Sequence, residues 1–204
     1  MNRLGILGGT FDPIHLGHMR MAEVAREKMR LDKVIFVPSH LPPHKRSAGL
    51  SSSKIRLKMA QIAVEAYPRF EVSSFEAQRP GKSYSIETVR HFKNIFPSTK
   101  FFFIIGGDAF AKLHQWKDIA EILAMVEFVV VNRPGNFSSR QRIQHHSVLM
   151  PGMDISSSNI RQLVRQEKSI RYLVPEAVRE YIERNNLYKR DVRVFRHLNE
   201  ALRA

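Results

Sequence analysis

Cysteine is absent from the 204 residues of this chain, which excludes disulfides, thiolate metal sites and a cysteine nucleophile. Long apolar runs are absent too, because the longest, Phe101 to Ile105, is far below the roughly 18 residues that span a membrane. No apolar stretch near the start is long enough for the core of a signal peptide. We therefore expect a cytoplasmic protein with no membrane partner.

Acidic residues are scarce, with 19 Asp and Glu against 33 Lys and Arg and a net charge of +14. Much of the positive charge lies in two segments without any acidic residue, 33–64 and 132–146, and we expect it to lie in loops. A basic surplus of this size indicates an anionic partner. Composition leaves open whether that partner is a nucleic acid, a phosphorylated metabolite or an acidic membrane.

Apolar runs rich in β-branched and aromatic residues alternate along the chain with stretches of helical periodicity. The apolar runs predict strands at 4–7, 33–37, 70–73, 100–105, 126–131 and 148–150. The periodic stretches predict helices at 17–30, 53–66, 85–96, 175–186 and from 157 onward, and residues 108–123 predict an irregular helical stretch. Such alternation is typical of an α/β fold with a parallel sheet covered on both faces. We assign residues 1–188 to this domain and residues 189–204 to a basic, helical C-terminal tail.

The strongest local signal follows the first strand, where Gly8, Gly9 and Thr10 precede His15 and His18. Paired glycines between a strand and a helix start let backbone N–H groups approach a phosphate closely. The two histidines stand three residues apart across the helix start, so their rings can meet the same anion. A zinc site is disfavoured, because no third ligand suggests itself and the spacing is not that of zinc proteases. The segment favours an anion-binding loop over a glycine turn with two incidental histidines.

A second segment, from Ser156 to Arg161, brings three serine hydroxyls and a guanidinium to a predicted helix start. Such a start offers hydroxyl donors, backbone donors and a planar cation to one phosphate. Capping of the helix would explain one serine without any ligand, so the segment alone leaves both interpretations open. A serine nucleophile is not expected, because no G-x-S-x-G pattern surrounds these residues.

Further candidates follow the predicted buried strands. Gly106 and Asp108 come after one strand, and Arg133 comes after the next. Ligands of an open parallel sheet bind beyond the carboxyl ends of its strands, which is where these residues fall. Trp116 is the only tryptophan, and a lone tryptophan is more often a core aromatic. Lys45, in a Pro-Pro-His-Lys loop, is also compatible with a solvated turn.

Together these segments resemble the bacterial nicotinate-nucleotide adenylyltransferases. The likeness runs from Leu4 to Tyr188 and rests on the motifs GGTFDPIHLGH, PPHK, SYSIETV, GGDAF, FVVVNRPG, ISSSNIR and LVPEAVREYIERNNLY. The resemblance implies the Rossmann-like α/β fold of nucleotidyltransferases. It also implies a reaction of NAD biosynthesis, in which ATP and nicotinate mononucleotide give nicotinate adenine dinucleotide and pyrophosphate.

The resemblance implies roles for individual residues. The catalytic group, which stabilises the ATP phosphates during transfer, would be His15, His18 and Arg161. ATP would be bound at its phosphates and ribose by Gly8, Gly9, Thr10, Gly106, Asp108, Ser156, Ser157 and Arg161. Nicotinate mononucleotide would be bound by Lys45, Ser85, Trp116 and Arg133, with Trp116 stacked on the pyridine ring and Ser85 at its carboxylate. Mg²⁺ would accompany ATP, held by phosphate and water, and no metal site of the protein itself is expected.

The chain departs from the family pattern at three positions. Ser85 and Ser158 stand where the family often has threonine, and Gly107 stands where it often has alanine. Ser85 keeps a hydroxyl, so recognition of a carboxylate is retained in principle. The strictness of acid over amide selection is left open by the sequence.

Two other functions are considered. The pantetheine-phosphate adenylyltransferases share a GTFDP start and an ISSS-type motif, and they are the alternative enzyme. A nucleic-acid-binding protein is the alternative from another class, although no RNP, KH or helix-turn-helix pattern occurs. We therefore expect ATP and nicotinate mononucleotide as partners and no nucleic acid. Whether the chain forms a homo-oligomer is left open.

Overall fold

One parallel sheet organises the computed structural model, which describes residues 2–43, 49–132 and 143–189. Its strands are β1 (Arg3–Gly9), β2 (Lys33–Pro38), β3 (Phe70–Val72), β4 (Lys100–Gly106), β5 (Glu127–Asn132) and β6 (His145–Leu149). Their order across the sheet is β3-β2-β1-β4-β5-β6, and every neighbouring pair is parallel. The predicted α/β fold with a parallel sheet is therefore confirmed.

The helices are α1 (Leu16–Met29), α2 (Ser53–Val64), α3 (Phe75–Gln78), α4 (Ser85–Ile95), α5 (Gly107–Ala111), α6 (Ile119–Met125), α7 (Ser157–Arg165) and α8 (Glu176–Arg184). Helices α1 to α6 lie between successive strands from β1 to β5, and α7 and α8 follow β6. A 3-10 turn at Leu113–Gln115 lies between α5 and α6. The irregular helical stretch predicted at 108–123 consists of α5, the 3-10 turn and α6, and it is interrupted because Trp116 is extended and Asp118 is left-handed with a φ of 52°.

Two smaller differences from the predicted elements lie at weak sequence signals. The strand predicted at 148–150 is β6, which begins three residues earlier, at His145. This strand is at the edge of the sheet and mostly exposed, so its polar residues gave no apolar run. Helix α3 has only four residues, too few to show helical periodicity.

The core is divided by the sheet into two layers. In β4, Phe102 and Ile104 face the layer that contains buried residues of α1, α2, α7 and α8. Phe101, Phe103 and Ile105 face the other layer, with buried residues of α4, α5 and α6. Alternate residues of a strand point to opposite faces, so a continuous apolar run is buried on both sides.

The sheet grows in both directions from its middle. Strands β2 and β3 add on one side of β1, and β4, β5 and β6 add on the other. Between β1 and β4 the direction in which strands are added reverses, and a crevice opens there beyond the carboxyl ends of the two strands. Gly8 and Gly9 end the first of these strands and Gly106 ends the second, so the fold brings two of the predicted ligand-binding segments together.

Two further expectations concern the C-terminal tail and membrane-spanning helices. The predicted tail at 189–204 lies outside the described residues except for Lys189. Among the described helices, none combines the length and the apolar character needed to cross a bilayer.

Candidate active site

A cavity of about 420 Å³ opens at the crevice between β1 and β4. Its lining includes seven of the residues singled out from the sequence, namely Gly8, Gly9, Thr10, His18, Ser85, Gly106 and Trp116. A second cavity, of about 360 Å³, adjoins it and shares Ser85 and Trp116 in its lining. Both volumes fall in the range of small-molecule sites. The structure thus joins the glycine loop to the predicted pyridine-binding residues in one connected space.

The other predicted residues lie elsewhere. His15 is 5% exposed and is not part of the cavity lining. Asp108 is exposed in the first turn of α5 and does not line the cavity either. Lys45 and Arg133 lie outside the described residues.

The two histidines form a stacked pair at the start of α1. Their ring centroids are 3.6 Å apart, and the ring planes differ by 23°. The backbone N–H of His15 donates to Nδ1 of His18 at 3.2 Å. Because a backbone N–H can only donate, a neutral His18 carries its ring proton on Nε2. His18 borders the cavity, so this arrangement suits donation of the Nε2 proton to an anion there.

The loop before the histidines is held in an unusual backbone conformation. Phe11 has a φ of 50°, in the left-handed region that non-glycine residues rarely adopt. Its buried ring packs edge-on against His18 with 5.0 Å between centroids. A Cβ on Gly9 would lie 2.7 Å from the Phe11 ring, so only glycine fits there. The second glycine of the motif therefore makes room for the aromatic ring that supports His18.

The serine segment at the start of α7 contacts the same loop. Ser156 caps the helix by accepting the Asn159 N–H at 3.2 Å. Ser157 donates to the carbonyl of Pro13 at 2.9 Å, and Nη1 of Arg161 donates to the carbonyl of Asp12 at 2.6 Å. A guanidinium has five N–H donors, so this bond uses only part of its capacity. The segment caps a helix and also anchors the loop, so the capping interpretation accounts for one serine only.

The other end of the cavity is formed by α4 and the 3-10 turn. Trp116 is half-buried and packs edge-on against Phe103, with centroids 5.5 Å apart. It is therefore both a core aromatic and a cavity wall. Ser85 is the first residue of α4, and the side chain of the preceding Tyr84 makes no capping hydrogen bond. The side chain of Tyr84 thus leaves the N–H groups of the first turn, which carry the positive end of the helix dipole, uncapped.

Sequence reasoning missed a buried carboxyl in the cavity wall. Glu76 is 9% exposed and accepts a hydrogen bond from the hydroxyl of Thr88. Burial raises the pKa of Glu76, whereas hydrogen bonds from Thr88 and Ser83 act in the opposite direction. No local pattern marks this residue, because it lies in the short helix α3. Only the fold shows that it faces the site.

The described residues contain no group of three or more His, Asp or Glu side chains that could hold a metal ion. The lining of the cavity that contains His18 includes glycine backbone, Thr10, several apolar side chains and one carboxyl, that of Glu76. Such walls suit a metal that arrives bound to phosphate oxygens and water.

Comparisons with known proteins agree with this geometry. A family model described as cytidylyltransferase-like matches residues 6–163. A probable nicotinate-nucleotide adenylyltransferase of Shouchella clausii is 46% identical over 188 residues, which are 92% of this chain and 97% of the relative. One of Geobacillus kaustophilus is 43% identical over 188 residues, which are 92% of this chain and 87% of the relative. These relatives favour neither the pantetheine-phosphate adenylyltransferases nor a nucleic-acid-binding protein.

Solved structures have the same fold. The nicotinic acid mononucleotide adenylyltransferase of Plasmodium falciparum, complexed with NaAD, superposes with a TM-score of 0.77 at 18% identity over 92% of this chain and 98% of its own. A Vibrio parahaemolyticus structure described as a nicotinate-nucleotide adenylyltransferase gives a TM-score of 0.67 at 20% identity over 93% and 96% of the two chains. The predicted nucleotidyltransferase type of α/β fold is thereby confirmed. Since the family model covers most of the chain and curated relatives match along nine-tenths of it, the chain belongs to the nicotinate-nucleotide adenylyltransferases.

Proposed function

We propose that this protein transfers the adenylyl group of Mg–ATP to nicotinate mononucleotide, giving nicotinate adenine dinucleotide and pyrophosphate in NAD biosynthesis. The observation that carries the proposal is the connected cavity, in which His18 and the glycine loop lie at one end and Ser85 and Trp116 at the other. Phosphates suit the first end, which offers backbone and imidazole donors. A flat ring that bears a carboxylate suits the second.

The reaction requires little chemistry from the protein. A 5′-phosphate oxygen of the mononucleotide attacks the α-phosphorus of ATP, and the bond from that phosphorus to the β-phosphate oxygen breaks as pyrophosphate leaves. The attacking oxygen is already ionised at neutral pH, so no general base is needed. The protein contributes in-line positioning and stabilisation of the negative charge that moves onto pyrophosphate.

His18 and Arg161 are proposed as the charge-stabilising groups. His18 would donate its Nε2 proton to a phosphate oxygen, while His15 supports the ring by stacking and by its backbone hydrogen bond. Arg161 would use its remaining donors on the phosphates, together with the hydroxyl of Ser156 and the backbone N–H of Ser157 at the start of α7. Mg²⁺ bound to ATP would be held by phosphate and water and would supply positive charge at the departing pyrophosphate.

The remaining assignments are proposed on the likeness to the family. Gly106 would let the nucleotide approach the end of β4, and Asp108 would contact its ribose. Ser85 and the N–H groups at the start of α4 would receive the nicotinate carboxylate. Lys45 and Arg133 would lie near the phosphate of nicotinate mononucleotide. A cytoplasmic location remains a prediction from composition, and oligomerisation remains open.

A substrate comparison tests the proposed function. The purified chain is given Mg–ATP with nicotinate mononucleotide, its amide or phosphopantetheine in separate reactions, and pyrophosphate release is followed. We expect nicotinate mononucleotide to give the highest specificity constant, with the dinucleotide product identified by mass. Pyrophosphate release supported by phosphopantetheine alone would overturn the proposal.

A further inference from the structure

Arg56 is a fully buried cation that the proposed mechanism does not use. Its side chain projects from α2, and the residue is 1% exposed. Its guanidinium donates to four backbone carbonyls, those of Thr10 at 2.8 Å, Ser39 at 2.6 Å, His40 at 2.6 Å and Ser51 at 2.9 Å. These carbonyls belong to the exits of β1 and β2 and to the segment before α2, so one side chain joins three separate parts of the chain.

A second group of contacts holds the same segments. One carboxylate oxygen of Asp12 accepts the N–H of Ser51 at 3.2 Å, and the other accepts the hydroxyl of Tyr188 at 2.7 Å. Asp12 is 1% exposed. Burial raises the pKa of Tyr188 and so keeps it a hydrogen-bond donor. The buried Arg56 and Asp12 and the half-buried Tyr188 therefore form one polar cluster that ties the loop at 8–12 to the segment before α2 and to Tyr188 beyond α8.

Packing alone does not account for a cation at this position. Burial of a charged group is costly unless hydrogen bonds or an opposite charge compensate for it. Burial lowers the pKa of Arg56, while the nearby charge of Asp12 acts in the opposite direction. All four hydrogen bonds of Arg56 go to neutral backbone carbonyls and none goes to a carboxylate. The four bonds therefore compensate for the buried charge only while the three segments keep this arrangement.

The bond to Thr10 sets the orientation of the peptide group between Thr10 and Phe11. The carbonyl and the following N–H of a trans peptide point in opposite directions, so a Thr10 carbonyl directed at Arg56 turns the Phe11 N–H away from α2. Phe11 is the residue with left-handed backbone whose ring supports His18. We propose that Arg56, with Asp12 and Tyr188, is the positioning residue that holds the loop at 8–12 in the shape that binds the phosphates of ATP. The proposal rests on the proposed function for the binding of ATP at this loop and for the identity of the second substrate.

The nicotinate end should be much less affected by Arg56. His40 connects the two ends, but it has two anchors besides Arg56. Its N–H donates to the hydroxyl of Ser83 at 2.8 Å, and its Nδ1 lies 3.1 Å from the carbonyl of Ala77. Loss of the guanidinium leaves both contacts in place.

Replacement of Arg56 by lysine separates a positioning role from a purely structural one. Lysine keeps the charge but concentrates its donors on one atom, so it cannot reach four carbonyls spread around a planar fork. We expect the Kd of Mg–ATP, measured by calorimetry without acceptor, to rise about tenfold or more, and kcat/KM for ATP to fall at least as much. The KM of nicotinate mononucleotide should stay within about twofold. The matched control is Arg90→Lys, which alters an exposed arginine paired with Glu121. It should change neither the Kd of Mg–ATP nor the KM of nicotinate mononucleotide.

Three results would overturn the proposal. One is a folded Arg56→Lys protein that melts at a lower temperature but binds ATP like the wild type. Another is an equal rise in KM for both substrates. If Arg56→Lys does not fold, Tyr188→Phe tests the proposal, because it removes only the Tyr188 hydroxyl that donates to Asp12. This substitution should raise the Kd of ATP about threefold and leave the KM of nicotinate mononucleotide unchanged. The third is wild-type ATP affinity in a folded Tyr188→Phe protein.

Failure of the proposed function would look different. The wild-type chain would then bind ATP and form no nicotinate adenine dinucleotide. The calorimetric comparison of wild type, Arg56→Lys and Arg90→Lys needs no acceptor, so it would still test the role of Arg56.

Discussion

At the proposed ATP end of the cavity, buried or half-buried side chains hold backbone carbonyls behind a wall to which His18 contributes its ring, whereas at the proposed nicotinate end Ser85 and Trp116 form the wall directly. Arg56, Ser157 and Arg161 bond to main-chain carbonyls between Thr10 and His40. Ser85 and Trp116 instead border the open space directly. Phosphate is common to many ligands and can be bound by main-chain geometry. Discrimination between pyridine rings requires particular side chains, so the two ends should respond differently to substitution.

The largest effect should come from His18→Ala, at the ATP end. Removal of one preorganised donor to the transition state should lower kcat on the order of a hundredfold or more. The melting temperature should change little, because His18 is only half-buried. Steady-state assays and thermal melts of His18→Ala and of the control His146→Ala, an exposed histidine on β6, test this. Near-normal turnover of His18→Ala would mean that the stacked pair is structural.

Trp116→Ala should show the opposite pattern, at the nicotinate end. Loss of ring stacking should raise the KM of nicotinate mononucleotide and of its amide alike, by about tenfold, and leave the KM of ATP unchanged. Trp116→Phe keeps a stacking surface and should recover part of the loss. An equal rise in the KM of ATP would show that the two ends are not independent.

Ser85→Ala tests how the nicotinate end distinguishes the acid substrate from its amide. Stacking hardly distinguishes acid from amide, so selectivity should come from donors that satisfy a carboxylate and oppose an NH₂ group. Loss of one such donor should narrow the acid-to-amide ratio of specificity constants by about three- to tenfold. The control is Ser158→Ala, which removes an exposed hydroxyl from α7. An unchanged ratio would assign acid recognition to backbone amides or basic loop residues.

The smallest effect concerns stability and the buried carboxyl of Glu76. Because burial raises the pKa of Glu76, the folded state binds a proton more tightly than the unfolded state. The free energy of unfolding should therefore fall as pH rises from the ordinary value of 4.5 through the raised pKa. Glu76→Gln removes this titration and keeps an oxygen for the Thr88 hydroxyl. Denaturant unfolding across this pH range should show the wild type losing stability relative to Glu76→Gln, and parallel curves would contradict the assignment.

The strands of the sheet could be predicted where they are buried on both faces. Strands β4 and β5 consist mainly of apolar residues, and the prediction placed their ends within one residue at most positions. Strand β6 and helix α3 could not be placed as well, because an edge strand accepts polar residues and a four-residue helix has no periodicity. Sequence patterns therefore predict buried strands more accurately than edge strands or very short helices.

The candidate site was predictable where its residues are close in sequence. His15 and His18 lie three positions apart, and their stacked arrangement follows from the helix start. Arg56 was not identified, because an arginine inside a helix predicted at 53–66, in a segment rich in basic residues, gives no local sign that it is buried. The structure buries it in α2, 46 positions from its partner Thr10. A contact between an arginine and a distant carbonyl leaves no local pattern.

The hydroxyl of Tyr188 reaches Asp12 across 176 positions of sequence, and Arg161 and Ser157 reach the same loop across 149 and 144. During synthesis the glycine loop and Arg56 emerge well before Ser157, Arg161 and Tyr188. A nascent chain can form much of its sheet before these partners exist, since domains begin to fold from the N-terminus as they are made. The proposed phosphate-binding loop therefore gains all three of these contacts only after Tyr188 has been made, and a chain cut before that residue lacks the bond from Tyr188 to Asp12.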